Sequence, residues 1–120
     1  MDKWRLPTER EQALMEAILS LEFDGRDEVA SQIRGARVAD DCGCGCGSFA
    51  IEQRPATPLV PVDGPTAEMF GTDDADQLVG LFVMVKGGHV EYVECYGLAT
   101  DPVSLRRPES LRPESLGPPS

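Results

Sequence analysis

Apolar residues recur at two different periods along the chain, and the point where the period changes divides it. In the N-terminal part, Leu14, Ile18 and Leu21 return at helical spacing, with Ala13 and Ala17 widening the stripe. Thr8 precedes this run, with Glu11 three residues on. That spacing lets each side chain satisfy the other's unpaired backbone N–H, so it predicts a helix start. Gly25 is read as the stop. A second, shorter helix is expected next, with Asp24 placed three residues before Asp27 as its N-cap. Val29 and Ile33 share one of its faces, and Gly35 closes it.

From Ala36 onward the period drops towards two. Phe49, Ile51 and Gln53 alternate with Ser48, Ala50 and Glu52, the pattern of a half-buried strand. Leu59, Val60 and Val62 are interrupted by Pro55, Pro58 and Pro61, so this stretch is expected to be an edge strand or an extended loop. Leu78 to Val85 is the most apolar run and predicts a central strand. Lys86-Gly87-Gly88-His89 then predicts a tight hairpin, because paired glycines accept the positive φ angles of a primed turn. On the returning strand Val90, Tyr92, Glu94 and Tyr96 alternate with Glu91, Val93 and Cys95. The expected fold is α+β, with two N-terminal helices packed on a small, mostly antiparallel sheet of three to four strands.

Residues 1–106 are read as a single domain and 107–120 as a disordered, proline-rich tail. In that tail Arg107-Pro108-Glu109-Ser110-Leu111 is repeated as Arg112-Pro113-Glu114-Ser115-Leu116. A proline every five residues suits neither helix nor solenoid. The whole chain of 120 residues is enough for one core and not comfortably for two.

Charge narrows the classes of function. Eleven basic and 21 acidic residues give a net charge of −10, which argues against binding nucleic acid or an anionic membrane. No apolar run reaches the roughly 20 residues a spanning helix needs, and no signal-peptide pattern follows Met1, so a cytoplasmic location is expected. The acidity is concentrated in residues 38–80, where Arg54 stands alone against eight carboxylates. Asp40, Asp41, Asp63, Glu68, Asp73, Asp74 and Asp76 belong to this group. They are either solvated loops or an acidic face for a basic protein partner.

Cys42-Gly43-Cys44-Gly45-Cys46 is the most unusual local feature. Thiolates are ligands for zinc, copper or iron, so Cys42, Cys44 and Cys46 form a candidate metal site, with Cys95 or His89 as the fourth ligand. Spacing of two is unlike paired Cys-x-x-Cys. Fully extended, it would set neighbouring Cα atoms about 7 Å apart, unless the glycines bend the chain. A strained, easily reduced disulfide and a set of inert thiols are the other readings. Catalytic chemistry is thin. His89 is the one histidine, no orienting third group accompanies Cys44 or Cys46, and no phosphate- or dinucleotide-binding fingerprint is present.

The order of two helices, Gly35-Ala36-Arg37-Val38, a Cys-Gly-Cys turn into a strand and a Gly-Gly hairpin resembles a group of small actinobacterial proteins. Cys44 and Cys46 match that group's Cys-x-Cys pair, and His89 to Glu94 match its late strand; the likeness spans about residues 8–111. The resemblance implies a bacterial cytoplasmic α+β domain and brings no activity with it. The tandem tail departs from the group's pattern. Two expectations follow: a non-enzymatic acidic module acting through protein contacts with a basic partner, or a thiolate metal-binding protein, with zinc the leading metal.

Overall fold

Thr8 opens the first helix as its sequence predicts. In the computed structural model, which describes residues 3–40, 48–54, 56–72, 78–97 and 112–113, helix α1 runs Glu9–Leu19. The Thr8 hydroxyl accepts from the Glu11 N–H at 3.1 Å, and the Thr8 N–H donates to the Glu11 carboxylate at 2.9 Å. Of the expected stripe Leu14 and Ile18 are buried and Ala17 and Leu21 pack partly buried against the core, while Ala13 is exposed; Glu11, Met15 and Leu19 are buried in addition. Burial of Leu14, Met15, Ile18 and Leu19, spaced three to four apart, sets which side of the helix faces the core, and Glu11 lies on that side bonded to Arg5.

Helix α2 spans Arg26–Ile33 and starts on Gly25 rather than Asp24. Gly25 is therefore the entry to α2 and not the stop of α1, which ends five residues earlier on Ser20. The position requires glycine twice over. Its φ is +86°, and a Cβ there would lie 2.8 Å from Val60 Cγ1. At the other end the helix carries no basic residue of its own in the last turn. Arg54 arrives from the loop beyond the second strand instead, donating from Nη2 to the carbonyls of Ser31, Gln32 and Arg34 at 2.8, 3.2 and 2.9 Å.

The sheet contains β1 (Val38–Asp40), β2 (Phe49–Ile51), β3 (Gly64–Thr72), β4 (Leu78–Lys86), β5 (His89–Gly97) and β6 (Arg112–Pro113). The spatial order is β1-β2-β5-β4-β3-β6, and every neighbouring pair is antiparallel. Three to four strands were expected; among the described residues there are six, the last of only two residues. The additional strands lack a readable period. β1 is three residues long, and β3 is broken by a bulge between Thr66 and Met69, with Ala67 at φ +56°. Within the stretch read as a tail, Arg112 and Pro113 pair with Phe70 and Met69; the rest of 107–120 lies outside the described residues. Residues 59–62 are an extended loop, anchored by the Val60 N–H donating to the Gly88 carbonyl at 2.8 Å.

The β4–β5 hairpin turns on Gly87 and Gly88 with φ of +61° and +82°, both positive as a type I′ turn needs. The return strand does not alternate cleanly throughout. Val85 pairs with Val90 but Met84 pairs with Tyr92, leaving Glu91 as the extra residue of a bulge. Val90, Val93 and Cys95 consequently all face the core. Gln32 fastens α2 to this irregular corner. Its amide donates to the Pro58 and Gly88 carbonyls and accepts from the Val90 N–H, each at 2.8 Å. All these inward residues join one cluster with Leu14, Ile18, Val29 and Ile33, so both helices cover the same face of the sheet. No helix among the described residues is long and apolar enough to cross a membrane.

Candidate functional site

Strand periodicity sends alternate residues to opposite faces. On β4, Val79, Leu81, Val83 and Val85 go into the helix-covered core, while Leu78, Phe82 and Met84 go to the other face. Antiparallel register extends that second face sideways: Tyr92 stands opposite Met84, Glu94 opposite Phe82, and Tyr96 opposite Gly80. Phe70 lies on the far side of Gly80 on β3, and Ala50 beside Tyr92 on β2. Among the described residues neither helix packs here. The aromatic residues are half-buried, and Leu78 is 51% exposed.

Tyr96 organises the surface. A Cβ on Gly80 would meet Tyr96 Cζ at 2.3 Å, so the absence of a side chain there lets the ring lie across β4. Its hydroxyl reaches β3 and donates to Glu68 Oε2 at 2.6 Å. Its ring also packs on Phe82, with centroids 5.8 Å apart and planes inclined at 50°. Glu68 belongs to the β3 bulge and Glu94 to β5, so carboxylates stand on both sides of Phe82. Further along, Arg37 and Glu52 form an ion pair at 2.7 Å. The result is an aromatic surface with Phe82 at its centre, acids on either side of it and Met84 towards the hairpin. Such surfaces can hold a partner.

The residues singled out for metal chemistry are dispersed differently. Cys42, Cys44 and Cys46 lie outside the described residues. Cys95 is 2% exposed in the core beside Val93, and its backbone N–H and carbonyl both bond the Ser48 hydroxyl, at 2.9 and 3.2 Å. His89 stands at the other end of β5, opposite Lys86 in the hairpin. The two fourth-ligand candidates are thus six residues apart on one strand, or about 20 Å, and Cys95 is the one adjacent to the segment that follows the cysteines. Among the described residues no group of three His, Cys, Asp or Glu side chains is placed to hold a metal ion.

Two other features are distinct from this face. Arg5 bridges Glu11, at 2.7 and 2.9 Å, and Asp40, at 2.6 Å. Its backbone pairs with Val38, so this cluster ties the N-terminal segment to β1 and α1. Hydrogen bonding to Glu11, then to Asp40, raises the Arg5 pKa beyond its already high value. Burial pushes the Glu11 carboxyl up, but its bonds from Arg5 and Thr8 outweigh that and hold it below the ordinary range. A groove of about 260 Å³ lies nearby, with Met15, Leu19, Ile33 and Ala36 on its floor and Leu6, 77% exposed, on its rim. Glu16 and Arg34 on that rim balance in charge.

The sequence places Phe82, Tyr92, Glu94 and Tyr96 on strands but does not single them out as a surface. Glu68 appeared only as part of the acidic middle, and Phe70 was unassigned. The alternation of Glu68, Phe70 and Thr72 with Met69 and Gly71 is the signal that could have found them. Searches among models of protein families, curated proteins and solved structures find nothing that matches this chain.

Proposed function

We propose that this protein is a non-enzymatic cytoplasmic binding module that engages a basic protein partner through the face of its sheet that neither helix covers. One observation carries the reading: Phe70, Phe82, Met84, Tyr92 and Tyr96 share the face opposite both helices, with Glu68 and Glu94 on either side of Phe82. Aromatic and methionine side chains supply large contact area with little rotamer freedom to lose, and they concentrate at interfaces. The margin carboxylates and the net charge of −10 select a positively charged partner by steering it and by repelling acidic ones. A partner that is both apolar and basic fits this chemistry.

The test is a selection of random twelve-residue peptides displayed on phage, with the full chain as bait. Enriched peptides rich in cations and apolar residues support the reading if their binding weakens with added salt and is lost in Phe82→Ser. Circular dichroism of that variant separates loss of surface from loss of fold. Binders indifferent to Phe82→Ser, or no enrichment, would overturn it.

A second reading keeps the metal hypothesis, with Cys42, Cys44 and Cys46 as ligands and Cys95 as the fourth. Its support is the Ser48 hydroxyl, which ties the residue following the cysteine segment to Cys95. Burial of Cys95 in an aliphatic core counts against it. Elemental analysis of protein purified under reducing conditions without chelator decides. About one zinc, copper or iron per chain, lost in Cys44→Ser, supports metal binding, and metal-free protein ends it.

A further inference from the structure

We infer that the partner presents an arginine to this face, and that its guanidinium seats over the Phe82–Tyr96 pair between Glu68 and Glu94. This rests on the proposed binding role and specifies what the surface recognises. Three observations converge on the same spot. First, Phe82 and Tyr96 are in ring contact at 5.8 Å, so their outer surfaces form one inclined π-platform. Second, Tyr96 is held flat by the space at Gly80 and by its 2.6 Å hydrogen bond to Glu68, so little ordering remains to be done when a ligand arrives. Third, Glu94 pairs with Phe82 across β4–β5, and Glu68 sits in the β3 bulge on the other side of the same β4 residue. The backbones of the two glutamates are therefore two strand spacings apart, about 10 Å, with Phe82 between them and the Glu68 carboxylate turned towards Tyr96.

The shape of that gap selects among cations. A guanidinium is planar, weakly hydrated, stacks on aromatic faces and offers N–H groups along its edges, so it can lie on the rings while its edges reach towards both carboxylates. An ammonium is a strongly hydrated point charge that would approach one carboxylate at a time and gains less from the ring faces. Tyr96 and Glu68 act here as a unit. Because the hydroxyl already donates to one Glu68 oxygen, the carboxylate is held in place for a second donor.

The experiment titrates the full-length, isotope-labelled chain with acetyl-Leu-Arg-Leu-amide and, separately, acetyl-Leu-Lys-Leu-amide, following amide and ring resonances by NMR. Saturable shifts at Phe82, Glu94 and Tyr96 are expected with the arginine peptide, with affinity about two- to fivefold above the lysine peptide. Glu94→Gln should erase that preference, and Glu68→Gln reduce it, with the spectrum otherwise native. Equal affinity for the two peptides, or shifts that map elsewhere, would overturn the inference. Displayed peptides that bind this face without arginine would overturn it too, while leaving the binding role standing; failure of all peptides removes both. Concentration-dependent self-association that moves the same resonances would assign the face to a second copy and overturn the arginine site.

Discussion

Val79, Leu81, Val83 and Val85 project from one side of β4, and Leu78, Phe82 and Met84 from the other, so one strand builds two unlike surfaces. The inner side is aliphatic, largely β-branched and covered by both helices. The outer side is aromatic, thioether-bearing and edged with carboxylates. Branched aliphatics have few rotamers and pack against helices at crystal-like density, which suits a permanent interior. Flat rings with polar margins keep one face available for exchangeable contact. On the proposed reading, residue parity along one backbone separates fold stability from binding, so each can be altered with little effect on the other.

The largest effect expected from breaking that division is on the inner side. Leu81 is fully buried on the central strand, and Leu81→Ala should destabilise the protein by about 3 kcal/mol, read as a lowered urea midpoint. Next comes the corner where α2 meets the hairpin. Gln32→Leu leaves two carbonyls and one N–H without their partner, a loss of about 2 kcal/mol by the same measurement. A leucine variant as stable as wild type would show that water replaces the amide.

Glu11→Gln keeps the capping geometry but removes the charge facing Arg5, and about 1 to 2 kcal/mol should go with it near neutral pH. Because the folded pKa of Glu11 lies below its unfolded value of 4.5, the unfolded chain takes up the proton first as pH falls. The advantage of wild type over the glutamine variant is therefore complete above about pH 4.5 and shrinks below it. Parallel denaturation curves at pH 3 and pH 6 would check this.

The smallest effect on stability belongs to the outer face, and there the comparison is sharpest. Phe82→Ala should cost about 1 kcal/mol or less in folding, yet remove peptide binding. Gly80→Ala is the subtler version. The new methyl displaces the Tyr96 ring, a movable side-chain end rather than backbone, so the thermal midpoint should barely change. The Tyr96–Glu68 hydrogen bond would be lost, and arginine-peptide affinity with it. If Gly80→Ala instead lowered stability as much as Leu81→Ala, the outer face would be part of the core and the division between the two sides would fail.

How much of this was legible before the structure depends on whether the signal was local. Thr8 and Glu11 announce α1 because capping is an interaction over three residues, and Gly87-Gly88 announces the hairpin because a two-residue turn carries its own φ requirement. Glu11 shows the boundary of that reading. Its role as a cap was visible, but its ion pair depends on Arg5 reaching it from outside the helix. β3 escaped because its bulge resets the alternation at Ala67, and β1 and β6 because two or three residues hold no period.

The candidate face was hidden for a related reason. Leu78 to Val85 is apolar at odd and even positions alike, so no alternation marks one side as buried. Both helices, the long hairpin with its turn, the acidic balance and the cysteine cluster can be read from the chain alone, because each is written in neighbouring residues or in composition. Only the tertiary structure decided strand order, which side of the sheet the helices cover, and the meeting of Glu68, Phe82, Glu94 and Tyr96 across three strands. Those follow from pairings between residues far apart in the chain, settled by how the whole apolar surface is best removed from water rather than by any local preference.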